Sequence, residues 1–381
     1  MKLRVLNTGL HILNMKTRMP FRYGIATMTA LPHLFVRVQL EVNGRPQWGV
    51  AADHLPPKWF TKNPATAFRD DVTDMLRVVN SAADLARAIA PAPTPFDLWQ
   101  QLDAAQKGWA ADKPFPPLLW GFGVSLIERA MLDAFCRATQ TSFARAVHDN
   151  TLGIRLGNIY SELRGHRPAE FLPSEPLRSI LVRHTVGLAD PLTDAEIPPA
   201  ELLSDGLPQS LEKCIRGYGL TRFKIKLCGD IATDTTRLKR IAGLMPRDFA
   251  FTLDGNEQYQ TVEAFVAAWE ALRSEPSLQE FLSRLIFVEQ PLHRDVALGG
   301  ETKRTLLDWR ERPPILIDES DGELTSFARA LDCGYAGTSH KNCKGVFKGI
   351  ANACLAARRQ RMISGEDLAT SVPWRCCRIS R

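Results

Sequence analysis

No apolar run in this chain of 381 residues approaches the roughly 20 residues that span a bilayer. The opening Met1-Lys2-Leu3-Arg4-Val5-Leu6-Asn7 is broken by polar residues too early for the apolar region of a secretory signal. The protein is therefore expected in the cytoplasm, with no membrane partner. Its eight cysteines are scattered and include no CxxC pair, so they read as reduced, mostly buried small apolar residues. No basic stripe with interleaved aromatics accompanies the net charge of +6, and Arg375, Arg378 and Arg381 supply half of that excess. Nucleic-acid binding is excluded on that ground. No GxGxxG follows the first strand, which argues against an open dinucleotide-binding sheet. What is present is ordinary: 45% apolar residues, 24% charged, 25 Gly and 25 Pro, the balance of a folded protein and not of a collagenous, disordered or coiled-coil one.

The chain divides by rhythm. Lys2 to Leu13 and His33 to Val42 are β-rich, and Asn43-Gly44 turns the second run into Pro46 to Val50 as a hairpin. Met19 to Leu31 reads as a polar-aromatic loop between those strands. Helical spacing follows over Asp71–Val79, Ala82–Ala90, Pro95–Ala105 and Val124–Val147. Residues 1–150 are thus expected to form an α+β domain. From about residue 179 strands alternate with amphipathic segments: Ser179–Val186, Arg222–Leu227, Phe249–Asp254, Leu285–Glu289, Ile315–Asp318, Tyr335–Lys341 and Arg361–Glu366. Seven such units predict a parallel βα barrel over 151–381.

In a βα barrel the active site forms at the carboxyl ends of the strands. Here those ends carry Lys224-Ile225-Lys226, Asp254-Gly255-Asn256, Glu289, Asp318-Glu319, Lys341 and Glu366. Alternation puts Lys224 and Lys226 on one face and Phe223, Ile225 and Leu227 on the other. The apolar face must meet the helices, so the lysines point inward; the same parity turns Thr252, Asp254, Asn256 and Asp318 inward. Three carboxylates about 5 Å apart repel by roughly 3 kcal/mol per pair at an effective dielectric of 20. They take up protons or bind a cation, and an all-oxygen donor set selects Mg²⁺ before Ca²⁺ or Zn²⁺. Lysines held close together are expected to lower one another toward the range of a general base. Such a base beside a metal-bound carboxylate suits removal of the proton α to that carboxylate.

The pieces Lys224-Ile225-Lys226, Leu253-Asp254-Gly255-Asn256, Val288-Glu289-Gln290-Pro291-Leu292, Ile317-Asp318-Glu319-Ser320 and Lys341-Asn342-Cys343-Lys344-Gly345 follow at separations of 28, 35, 29 and 23 residues (226, 254, 289, 318 and 341). With Ile127-Glu128-Arg129-Ala130-Met131-Leu132-Asp133 ahead of them, they resemble the enolase superfamily, in its mandelate-racemase and muconate-lactonizing-enzyme branch. The resemblance implies an α+β capping domain on a (β/α)7β barrel. It implies Mg²⁺ on Asp254, Glu289 and Asp318, with Lys226 and Lys341 as acid/base groups on opposite faces of a small carboxylate substrate and Lys224 assisting the charged intermediate. The Phe21-Arg22-Tyr23-Gly24 loop would close over substrate, with Arg22 meeting a second anionic group. Asn256 is a shell or turn residue, Glu319 and Glu366 orient lysines or face solvent, and His340 points away from the site. Self-association into a homo-oligomer is compatible with this reading.

After Leu368 only 13 residues remain (381 − 368). A helix of about 11–12 residues and a strand of 5–6 do not both fit, so the barrel is expected to lack its last strand. Racemisation, epimerisation and cycloisomerisation head the expected reactions, with acid-sugar dehydration as the alternative. An inactive remnant that binds metal or a protein is a second class. A Schiff-base aldolase is a third, and it leaves the three acids unexplained.

Overall fold

Asn43 and Gly44 both lie at positive φ (51° and 81°), the backbone that a two-residue hairpin turn requires. The computed structural model that shows this describes residues 1–366. The expected fate of the chain after Leu368 lies outside the described residues. Strands β1 (Leu3–Leu13), β4 (His33–Val42) and β5 (Arg45–His54) form one antiparallel sheet in the order β1-β4-β5, while β2 (Lys16–Tyr23) and β3 (Ala26–Ala30) pair separately. Along β4, Leu34, Val36, Val38 and Leu40 are buried and the residues between them are more open, the period-two pattern of a sheet with one covered face. The expected loop over Met19–Leu31 is corrected here. Much of it is the β2–β3 hairpin, in which Phe21 pairs with Met28 and Tyr23 with Ala26.

The covering face comes from α1 (Phe68–Ala88), α2 (Pro95–Ala110) and α3 (Pro117–Ala138), and α4 (Phe143–His148) packs on α3. The break expected at Asn80-Ser81 is absent. Asn80 Nδ2 donates to Leu76 O (2.9 Å) and Ser81 Oγ to Gln106 Oε1 (3.1 Å), so both polar side chains are satisfied inside one long helix. The single helix expected over Val124–Val147 is two. Gln140 turns to positive φ (53°), and Ser142 caps the next helix by accepting from Arg145 N at 3.2 Å.

Beyond these helices the chain alternates: β6 (His184–Val186), α5 (Leu211–Tyr218), β7 (Arg222–Lys226), α6 (Ile231–Ala242), β8 (Ala250–Asp254), α7 (Val262–Arg273), α8 (Gln279–Leu282), β9 (Leu285–Glu289), α9 (Arg294–Ala297), α10 (Gly300–Asp308), β10 (Ile315–Ile317), α11 (Ser326–Asp332), β11 (Gly337–His340), α12 (Val346–Arg359) and β12 (Met362–Gly365). The seven strands lie in chain order from β6 to β12, each parallel to the next. This is a capping domain on a curled, barrel-like parallel sheet that stays open between β6 and β12 among the described residues. The curl is tight enough for Glu366, just past β12, to reach Lys224 on β7 at 2.6 Å and Arg183, ahead of β6, at 3.3 Å. The first barrel strand is shorter than expected, and Ile180, Leu181 and Val182 stand exposed before it.

Two cores hold the assembly. One lies behind the parallel sheet, where Phe223, Ile225, Phe251, Leu253, Ile315 and Ile317 meet helix residues such as Phe265 and Trp269. The other joins the cap to α12: the Phe347 ring lies 5.3 Å from Phe96 and 5.3 Å from Trp99. Each such side chain contributes about 1.5–3 kcal/mol by leaving water. Glu128 on α3 reinforces the second contact, its oxygens accepting from Val346 N (3.1 Å) and Phe347 N (2.6 Å) at the start of α12. The six described cysteines are free, and Cys333, Cys343 and Cys354 are buried. No described helix is long and apolar enough to cross a membrane.

Candidate active site

Strand register brings the charged residues to one level. Lys226 pairs with Asp254, Asp254 with Glu289, and Glu289 with Leu316 across β7, β8, β9 and β10. Asp318 lies two residues beyond Leu316, and so on the same face. Lys341 follows β11 directly, and Lys224, Lys226, Asp254, Glu289, Asp318 and Lys341 are all buried. The inward parity expected for both lysines holds, because Phe223 and Ile225 occupy the helix-facing core.

The side chains interlock. Lys224 Nζ lies 2.9 Å from Asp254, 2.8 Å from Glu289 and 2.6 Å from Glu366. Lys226 Nζ donates to Asp254 Oδ2 and Asn256 Oδ1, both at 2.6 Å, and Asn256 Nδ2 donates to Glu319 Oε1 at 3.2 Å. Lys341 Nζ donates to Asp318 Oδ2 at 2.6 Å and also to Glu366 Oε1. Neither Glu319 nor Glu366 faces solvent: Glu319 is 2% exposed, and the Glu366 side chain is 15% exposed and bridges two lysines. His340 turns from the cluster and packs its ring on Gly349 of α12.

Electrostatics follow from that packing. Burial pulls Lys224 down, but Asp254, Glu289 and Glu366 outweigh it and hold the ammonium above its ordinary value. Lys341 is likewise held well above its ordinary value, its burial outweighed by Asp318, Glu366 and Glu289. The expected lowering of one lysine by another is therefore corrected, since the nearest neighbours of each Nζ are carboxylates. Asp254 is buried yet held below the usual carboxylate range by Lys224 and Lys226. Glu289 goes the other way, pushed up to about 8 by burial first and then by Glu366. Burial and the Asp318 charge push Glu319 up to about 7.

Both oxygens of Glu289 and Oδ1 of Asp318 are buried without a well-formed hydrogen bond. Beyond the ammonium groups of Lys224 (2.8 Å from Glu289) and Lys344 (2.8 Å from Asp318 Oδ1), they retain acceptor capacity that is costly to leave unused. Oxygens of Glu289, Asp318 and Glu366 lie within 4.8 Å of one another. Such carboxylate oxygens in an all-oxygen set fit a hard divalent cation. Asp254 stands beside this group rather than in it, paired with the two β7 lysines.

A cavity of about 750 Å³ opens above the cluster, lined below by Lys224, Lys226, Asp318 and Lys341 and above by Phe21, Tyr23, Met28 and Trp59. Tyr23 is thus at the site, its hydroxyl donating to Pro57 O at 2.7 Å. Arg22 is not. It is exposed on the other face of β2 and borders a separate cleft with Arg18 and Asp190. Another cleft of about 700 Å³, beside Arg129, Cys136 and Phe143, contains none of the expected residues.

Four participants were not anticipated. Arg183 Nη1 donates to Thr252 Oγ1 at 3.1 Å. Its parity was readable, because Thr185 pairs with Lys224 and Arg183 lies two residues earlier. Lys344 Nζ lies 2.8 Å from Asp318 Oδ1, three residues after Lys341. The Trp59 ring faces Lys341 Nζ, 5.2 Å from ring to nitrogen, and Lys62 Nζ lies 2.9 Å from Glu257. No local pattern marks these last two, since only the docked cap brings them in.

No protein-family model matches the chain, and no curated protein matches it in sequence. Solved structures do match in fold. A mandelate racemase/muconate lactonizing protein from Herpetosiphon aurantiacus superposes with a TM-score of 0.62 at 19% identity, over 97% of this chain and 83% of that one. An enolase from Bradyrhizobium complexed with magnesium and mandelic acid gives 0.61 at 16% identity, over 96% and 82%. A dipeptide epimerase from Enterococcus faecalis complexed with Mg and a dipeptide gives 0.61 at 17% identity, over 96% and 83%. The capping domain and curled parallel sheet are the fold these proteins share.

Proposed function

We propose that the chain is an Mg²⁺-dependent enzyme of the mandelate-racemase and muconate-lactonizing branch of the enolase superfamily. In this reading it removes the proton α to a substrate carboxylate, and its outcome is racemisation, epimerisation or cycloisomerisation. A shared fold does not by itself carry an activity. The observation that carries this one is the row Lys226, Asp254, Glu289, Asp318, Lys341: acids of three consecutive strands in one buried layer, flanked by lysines from the strands on either side, with Glu289 buried and met by the Lys224 ammonium at 2.8 Å.

Asp254, Glu289 and Asp318 would hold the cation, with Glu366 as the rival third ligand on the strength of its distance to Glu289 and Asp318. Bound there, Mg²⁺ would supply Lewis-acid stabilisation of the negative charge that develops on the substrate carboxylate. Lys226 and Lys341 would take the α-proton from one side and return one from the other. The lysine that acts as base must do so as the neutral amine, so it has to lose a proton as well as its contact with Asp254 or Asp318. Asn256, bridging Lys226 and Glu319, would orient that lysine, and Lys224 would offset charge between Asp254 and Glu289. Positioned proton transfer of this kind is worth roughly 10²–10⁴ in rate.

The test is incubation in D₂O with Mg²⁺ and a panel of α-substituted carboxylates, read by mass spectrometry. Deuterium at the α-carbon is the expected result. No exchange across the panel, with Mg²⁺ shown to bind, contradicts the reading.

A further inference from the structure

The two ends of the cavity differ in chemistry. Its floor is the charged cluster, whereas the cap contributes Phe21, Tyr23, Met28 and Trp59. Tyr23 spends its hydroxyl on Pro57 O at 2.7 Å, leaving the ring edge for a ligand. Phe21 lies 5.6 Å from that ring and extends the same surface. The nearby cap cations are turned away or committed. Arg22 is exposed on the opposite face of β2, and Lys62 is held by Glu257 at 2.9 Å and by Asn256 O. At the mouth stand Ile180, Leu181 and Val182, exposed by 78%, 77% and 69%. Three apolar side chains left this open beside an aromatic wall are apolar area that a ligand can cover.

We propose that the substrate is a carboxylate whose remote end is an uncharged apolar or aromatic group, seated against Phe21, Tyr23, Met28 and Trp59. This rests on the reaction proposed above, and it goes further by excluding substrates with a polyhydroxylated or anionic remote end. A polyhydroxylated chain would leave its hydroxyls against rings that offer no partner, and a second carboxylate would meet no free cation from the cap, while Arg183 on the cavity wall is already engaged by Thr252 at 3.1 Å and Glu366 at 3.3 Å. An apolar group there gains only what area burial supplies, so the expected preference is about tenfold or more.

The experiment is calorimetric titration of the full chain, with Mg²⁺ present, by N-acetylphenylalanine, N-acetylglutamate and gluconate. N-acetylphenylalanine should bind at least about tenfold more tightly than either of the others. Phe21→Ser should weaken that binding by about tenfold, Phe21→Leu should restore most of it, and Arg22→Ala should leave it unchanged. Gluconate or N-acetylglutamate binding equally well, no measurable binding of N-acetylphenylalanine, or indifference to Phe21→Ser overturns the inference. The same samples in D₂O separate this inference from the reaction it rests on. Tight binding of N-acetylphenylalanine without exchange upholds the seat and counts against the reaction. Exchange confined to gluconate upholds the reaction and overturns the seat.

Discussion

Lys226 and Asp254 stand in direct register on neighbouring parallel strands, with Nζ donating to Oδ2 at 2.6 Å. A proposed base and a proposed cation ligand are thus each other's partner, and a bound cation must share Asp254 with an ammonium. Removing that competitor should favour the cation: Lys226→Met is expected to tighten Mg²⁺ binding about tenfold. Asp254→Asn should weaken it by a similar factor or more, as should Glu289→Gln and Asp318→Asn. Calorimetric titration with Mg²⁺ checks each variant. A loss on Glu366→Gln that exceeds the loss on Asp254→Asn would make Glu366 the third ligand.

Glu257 ties the cap to the barrel. It accepts from Arg294 Nε (2.7 Å) and Nη2 (2.8 Å), while the same guanidinium donates to Phe60 O (2.8 Å) and Trp59 O (3.0 Å). Glu257→Gln should loosen the loop that carries Trp59 without touching the reacting atoms. KM for the exchanging substrate is expected to rise several-fold while kcat changes by less than about twofold. Steady-state kinetics decides, and a fall in kcat alone would contradict this role.

How much of this was legible in the sequence depends on how local its cause is. The barrel strands could be placed because their outward faces are continuous apolar parity sets such as Phe223, Ile225 and Phe251, Leu253, and parity then aimed Lys224, Lys226 and Asp254 correctly. The β2–β3 hairpin was missed because Pro20 and the irregular register between Lys16 and Phe21 blur its alternation, although Phe21, Tyr23, Ala26 and Met28 share one face. That miss carried Arg22 into the site, when the strand turns it out. The lysine environment was misjudged for a different reason. Sequence spacing shows that lysines are near one another, but only packing shows that carboxylates are nearer still.

Glu128 should leave a signature in the pH dependence of stability. Fully buried, it is pushed up to about 8 by burial, which outweighs the donating Phe347 and Val346 amides. An acid raised in the folded state holds its proton there while the unfolded chain has already released it. Its contribution is therefore complete below about pH 4.5 and lost as pH rises through about 8. Glu128→Gln removes that titration, so the stability of the parent minus that of the variant should fall between these limits. Urea unfolding at pH 5, 6.5 and 8 measures it, and a constant or rising difference contradicts the assignment.

Gly49 on β5 fixes how closely α3 approaches the sheet, because a Cβ there would collide with Ala130 O and Ala134 N. Both are backbone atoms of a helix held on its other side by α1, so relief requires the helix to move. Gly49→Ala is expected to destabilise by about 1–3 kcal/mol through overpacking. A melting temperature within a degree of the parent would show that α3 can shift freely.

The most direct test of the account asks the two lysines to act separately. Each enantiomer of an exchanging substrate is incubated in D₂O with Mg²⁺ and with Lys226→Ala, Lys341→Ala or the double variant, and the initial rate of α-deuterium uptake is followed by mass spectrometry. The account predicts that each single variant loses exchange of one enantiomer by roughly 10²–10⁴, with opposite preferences, and that the double variant loses both. Exchange that persists in the double variant, or two single variants that fail on the same enantiomer, would contradict it.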